Sequence, residues 1–191
     1  QIVLTINYKA DTLYIGYFLT SADVGQYSYG ENLALLPTRE ATAPIAQTLF
    51  PAFARVRHEP ERLARAYTRA QSLLCAIALP VGIGFAAIAA PLVHVVLGDK
   101  WSPAIIVIQV LSSVTALQTL ASSLQPLAMA LGETKTLLRR DLTNVAVRLP
   151  LVVAGLVFGG FAGIVYARIL SGAFATIMNM ALVKRFHGIS I

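Results

Sequence analysis

Long apolar runs separated by short basic clusters dominate the sequence. Ala70 to Gly98 and Ser102 to Gly132 contain no Asp, Glu, Lys or Arg. Each exceeds the ~20 residues that carry a helix across ~30 Å of hydrocarbon. A third run, Leu149 to Ala167, is divided by Gly159 and Gly160 into the ends of two helices. Two earlier stretches are less clean: residues 2–19 hold Lys9 and Asp11, and residues 24–53 hold Glu31, Arg39 and Glu40. The pattern predicts an all-α membrane protein, a six-transmembrane-helix bundle with spans at about 2–19, 24–53, 68–90, 103–131, 137–158 and 161–183. No linker divides them, so the chain reads as one bundle.

Proline and glycine refine this outline. Pro37, Pro44 and Pro51 recur every seven residues and fall on nearly one face of the second span, where they are expected to kink or soften it. Pro80 does the same in the third span. Pro91 is expected to end that span, leaving an interfacial helix over 92–97 before Trp101, an aromatic anchor at the outer boundary. Gly155 and Gly159 form a GxxxG pair that either lets two backbones pack closely or simply makes a turn.

Composition changes the picture mainly by exclusion. Hydrophobic residues make up 57% of the 191-residue chain and charged ones only 13%, with a mean hydropathy of +0.70. A soluble domain carries about 25% charge, so soluble enzymes, disordered segments and nucleic-acid-binding modules are set aside. The net charge of +6 comes from basic residues that cluster on one side of the predicted membrane. Arg55, Arg57, Arg62, Arg65, Arg69, Lys135, Arg139, Arg140, Lys184 and Arg185 fall on that side, against Lys100 alone on the other. By the positive-inside rule both ends are expected in the cytoplasm. The start at Gln1, directly in an apolar stretch, reads as part of a longer polypeptide.

Familiar catalytic motifs fail. His58-Glu59 opens like a zinc-protease motif, but Arg62 stands where the second His belongs. Lys135-Thr136 lacks a glycine-rich phosphate loop, and His94 fits an interfacial side chain. Cys75 is the single cysteine and forms no internal disulfide or zinc site. No catalytic residue, metal site or cofactor is expected.

The informative residues are polar ones at membrane depth. A charge at a helix centre costs about 2.5–3.5 kcal/mol on insertion scales, so such residues tend to face a cavity and to matter. Asn7, Asp11, Tyr14 and Phe18 share one face of the first span; Asp141, Asn144 and Arg148 share one of the fifth; Arg168, Ser171 and Asn179 share one of the sixth. With Glu31, Arg39 and Glu40, these stripes suggest a bundle around a hydrated cavity. Arg39, Arg148, Arg168 and Asn144 are the candidate substrate-binding residues, because arginine grips phosphate oxygens bidentately. Asp11 and Glu31 are the candidate ion-coupling residues. The alternative is pairing for packing alone, as Asp11 with Arg39 or Glu31 with Arg148, with Arg168 snorkelling.

An ordered set of short motifs resembles a known family. Asp11 with Tyr14-Ile15-Gly16-Tyr17-Phe18-Leu19, then Val24-Gly25-Gln26-Tyr27, is similar to the D-x-x-x-I-G-x-x-L…L-G-x-Y signature of bacterial polysaccharide flippases. Val24 replaces the usual leucine. Leu36-Pro37, Leu49 to Arg55, Glu61-Arg62-Leu63, Pro80, Gly98-Asp99-Lys100-Trp101 and Ala130-Leu131-Gly132 follow in family order, so the likeness covers about 11–185. It points to Wzx-type O-antigen and exopolysaccharide exporters within the multidrug/oligosaccharidyl-lipid/polysaccharide superfamily.

That resemblance implies half of a two-lobed exporter fold, with this chain similar to the beginning of the second lobe and dependent on the missing first lobe for transport. It implies export of an undecaprenyl-pyrophosphate-linked oligosaccharide across the bacterial inner membrane by alternating access. The partners implied are the lipid-linked oligosaccharide and membrane lipid, with no nucleic acid. Two rivals remain open: a cation-coupled small-molecule or drug antiporter of the same superfamily, and a membrane assembly subunit that does not transport.

Overall fold

The computed structural model describes residues 21–187, all helices and short connections; the expected first span, with Asp11, lies outside them. The helices are α1 (Ser21–Val56), α2 (Pro60–Ala87), α3 (Ala89–Val96), α4 (Ala104–Gln118) and α5 (Leu124–Ala130). A final helical run is broken at Gly160 into α6 (Thr134–Gly160) and α7 (Ala162–Lys184). Among the described residues, α2, the stretch Ala104–Ala130, α6 and α7 are long and apolar enough to cross a membrane. α1 is longer but too polar to count with them. It nonetheless runs alongside them through the whole core. Tyr27 and Ala34 pack with Val107, Val152 and Ile164 toward one end, while Leu49 and Phe53 pack with Leu63, Leu124 and Val183 toward the other. The chain is an all-α, multi-pass membrane protein.

Several helix ends differ from the sequence-based outline. α2 begins at Pro60, eight residues before the expected apolar boundary at 68, because proline at the first helical position starts a helix that extends beyond the hydrocarbon. Its break falls at Ile88 (φ −91°, ψ 4°) rather than at Pro91. Pro91 instead sits in the first turn of α3, where its missing N–H leaves no bond unmade. α1 continues as helix through Pro37, Pro44 and Pro51. In the last turn of α3, His94 Nδ1 meets Asp99 Oδ1 at 2.7 Å, and Trp101 packs edge-on against Tyr29 with ring centroids 5.2 Å apart. These contacts tie the loop to the top of α1.

The expected span 103–131 is two helices. A 3-10 turn at Thr119–Ala121 separates α4 from α5. Such a break in hydrocarbon requires partners for the freed backbone groups. Gln71 of α2 and Ser122 supply them: Gln71 donates from Nε2 to the Thr119 carbonyl at 2.5 Å and accepts at Oε1 from the Ser123 N–H at 3.2 Å, and the Ser122 N–H and hydroxyl donate to the same carbonyl at 3.1 and 3.0 Å. Ser112 of α4 adds a buried bond from Oγ to the Ala34 carbonyl of α1 at 3.3 Å.

α6 and α7 form a hairpin. Gly160, at φ 55°, makes the reversal in a backbone conformation that other residues adopt at a cost. The close approach expected of Gly155 and Gly159 is instead made by Gly155 and Gly163 across the hairpin. A Cβ on either would collide with the other's backbone, whereas one on Gly159 would meet nothing within 4 Å. The spacing had suggested two residues of one helix; the fold uses one from each.

Candidate functional site

Two groups of polar residues lie at membrane depth, one inside the bundle and one on its outside. The inner group contains Arg168 of α7, whose Nη2 donates to Glu31 Oε1 of α1 at 3.0 Å, both side chains being largely buried. This pair joins helices 137 residues apart in sequence. Among the described residues, Glu31 thus pairs with Arg168, whereas the spacing had suggested Arg148. Arg148 and Asn144 are half-buried on one stripe of α6. The Oδ1 atoms of Asn144 and of Asn179 on α7 are buried without a hydrogen-bond partner among the described residues. At the basic end, Asp141 Oδ1 accepts from Arg140 Nη2 at 2.7 Å. The stripes anticipated on the fifth and sixth spans are therefore turned away from the outer surface.

Arg39 belongs to the outer group. It stands midway along α1 with 78% of its side chain exposed, and its Nε lies 3.5 Å from Glu40 Oε1. An exposed pair of this kind contributes little, so the guanidinium remains available to another acceptor. Asn32, Glu40, Gln47 and Thr48 are exposed on the same helix. Polar side chains so placed are unfavourable against lipid tails and ordinary against water or further protein. The structure therefore separates Arg39 from Arg168: one opens outward, the other is paired inside.

Beside Arg39 on the outer face of α1 is an open pocket of about 410 Å³. Thr42, Gln47 and Phe50 of α1 form one wall, and Ser122, Gln125 and Met129, at and beyond the helix break, form the other. Sequence reading missed it. The available signals were Pro126 and the Ser122-Ser123 pair within an otherwise apolar run, together with Gln71 in the neighbouring helix. Among the described residues no group of three or more His, Cys, Asp or Glu side chains is arranged to hold a metal.

The fold is an all-α membrane bundle with a buried ion pair, a discontinuous helix and a polar outer face, more than a simple anchor requires. A family model described as "Polysaccharide biosynthesis protein" matches residues 1–106, more than half of the chain, and the chain belongs to that family. It is 25% identical to the lipopolysaccharide biosynthesis protein WzxC of Escherichia coli, over 94% of this chain and 36% of that protein. It is also 25% identical to the succinoglycan biosynthesis transport protein ExoT of Rhizobium meliloti, over 70% of this chain and 27% of the relative. The teichuronic acid biosynthesis protein TuaB of Bacillus subtilis is 22% identical over 69% of this chain and 27% of its own length. The chain spans about a third of the length of these relatives. No solved structure matches it.

Proposed function

We propose that this chain forms part of a flippase that moves an undecaprenyl-diphosphate-linked oligosaccharide from the inner to the outer leaflet of a bacterial inner membrane, for O-antigen or exopolysaccharide assembly. The observation that carries this reading is the exposed polar face of α1 with Arg39 at its midpoint. On this reading the face is one wall of a hydrated path between two lobes, the second supplied by the rest of the polypeptide. The names of the relatives support a role in polysaccharide biosynthesis and transport.

The chemistry follows from the side chains. Arg39 offers a planar fork to the diphosphate, displacing the weak contact to Glu40. Arg148 and Asn144 act later on the path, once the inner surface of α6 is reached. Glu31 and Asp11 carry the coupling: Glu31, on exchanging Arg168 for a proton or cation, favours one of two access states, and Asp11 offers a second carboxylate to that ion. The basic clusters at 55–69 and 135–140 support a cytoplasmic position for that end by the positive-inside rule. A small cationic drug gains nothing from an exposed arginine, which favours an anionic lipid over the antiporter reading.

Arg39→Ala in the full-length protein is expected to abolish polymer export while leaving the protein inserted in the membrane. Arg39→Lys is expected to restore export only in part, since a point charge lacks the bidentate geometry. Export and immunoblotted protein level are measured together. Normal export by Arg39→Ala would refute the proposal.

A further inference from the structure

We propose that the pocket at the α4–α5 break binds an uncharged sugar of the lipid-linked glycan. This rests on the flippase reading above and deepens it by assigning sugar recognition to particular residues.

Three observations converge. First, the lining contains hydroxyls and carboxamides but no charged side chain: Thr42, Gln47, Ser122 and Gln125 are accompanied by Phe50 and Met129. A carboxamide both donates and accepts, as does a hydroxyl, so each can match a sugar hydroxyl in either sense. Phe50, 45% exposed, offers an apolar surface to the C–H face of a pyranose ring. Its volume of about 410 Å³ falls within the ~300–1,000 Å³ typical of small-molecule pockets.

Second, the break is a built feature. The Ser123 N–H, which the interruption would orphan, donates to Gln71 Oε1, and the Thr119 carbonyl accepts from Gln71 Nε2 as well as from Ser122. Irregular backbone at membrane depth is tolerated where protein buries it or a cavity adjoins it, and discontinuous helices mark binding sites in transporters. Thr119 and Ser122 line this pocket directly.

Third, the pocket and Arg39 share one helix face. Residues 39, 43, 47 and 50 of α1 recur at helical spacing, and Gln47 lies about 12 Å along the axis from Arg39. A diphosphate held at Arg39 therefore places the sugars joined to it within reach of Gln47 and Phe50. Charged recognition and neutral recognition are adjacent but separate.

The test measures binding of a polyprenyl diphosphate, with and without its glycan, to the full-length protein in nanodiscs. Gln47→Ala with Gln125→Ala is expected to weaken the glycosylated lipid by about tenfold, through loss of neutral hydrogen bonds, and to leave the bare lipid within about twofold. Arg39→Gln is expected to weaken both lipids alike. Both glutamines are exposed, so melting temperature should not change. Phe50→Leu provides a second variant that keeps apolar bulk and should lower only glycan-lipid binding, by about threefold. If the double variant and Phe50→Leu retain the wild-type preference for the glycosylated lipid, the sugar site is overturned and the flippase reading survives. If the wild-type protein binds neither lipid, the flippase reading falls and takes this site with it.

Discussion

The exposed face of α1 and the exposed face of the α6–α7 hairpin are equally open and chemically opposite. On α1 the outward residues include Asn32, Arg39, Glu40, Gln47 and Thr48. On the hairpin, between Ala146 and Ala181, the outward positions include Pro150, Val157, Phe158, Leu170, Phe174 and Ile177, without a charged or amide side chain. Both run at the same depth, since α1 packs into the same cores as its neighbours. A single solvent cannot suit both. The hairpin is built for lipid, and α1 for water or for further protein. The distinction lies in how residues are distributed around each helix and is hidden in their average composition.

The strongest test of that contrast places a charge on the lipid side. Leu170→Arg, near the middle of α7, should cost about 2.5–3.5 kcal/mol of insertion free energy and sharply reduce the inserted protein, whereas Gln47→Leu on α1 should leave it unchanged. Membrane-fraction immunoblots compare the two. Normal accumulation of Leu170→Arg would remove the lipid assignment.

A smaller effect probes the wall behind the α1 face. Gln71→Leu keeps the side-chain bulk but strips the Ser123 N–H of its acceptor and leaves the Thr119 carbonyl its contacts with Ser122. It should destabilise the protein by about 1–3 kcal/mol, read as a lower melting temperature in detergent. An unchanged melting temperature would mean that water satisfies the break and Gln71 does not hold it.

The gentlest probe asks only which solvent is present. In a Cys75→Ala background, Gln47→Cys should react with a membrane-impermeant maleimide in inverted vesicles. Leu170→Cys, at a position 60% exposed on the hairpin, should not. Equal labelling of the two would erase the comparison.

The sequence made the spans legible because hydrophobic runs have a length set by the bilayer, and that length survives in one dimension. The run at 137–158 lies within the helix Thr134–Gly160, and the run at 161–183 coincides with Ala162–Lys184 to within one residue at each end. Partners were harder to read. Glu31 meets Arg168 because α1 and α7 are turned toward each other at that level, and helix rotation is set by packing that hydropathy does not record. The same holds for Gly155, whose contact lies across the hairpin at Gly163. Arg39 stood out as a charge at membrane depth, but its outward direction became clear only once Ala34 and Thr38 were seen buried on the opposite side. The break at Thr119 escaped because its compensation comes from Gln71, 48 residues away.

The glycine reversal at residue 160 also bears on how the protein is made. No charged residue lies between Leu149 and Ala167, and the tip of the hairpin is Val157-Phe158-Gly159-Gly160. There is no hydrophilic loop to drag through the bilayer. The two strokes of the hairpin can enter the membrane as one preassembled unit, zipped by the contact between Gly155 and Gly163. The closure of this end of the chain then rests on the fit of two bare backbones, and a single methyl group at either glycine would force the two strokes apart.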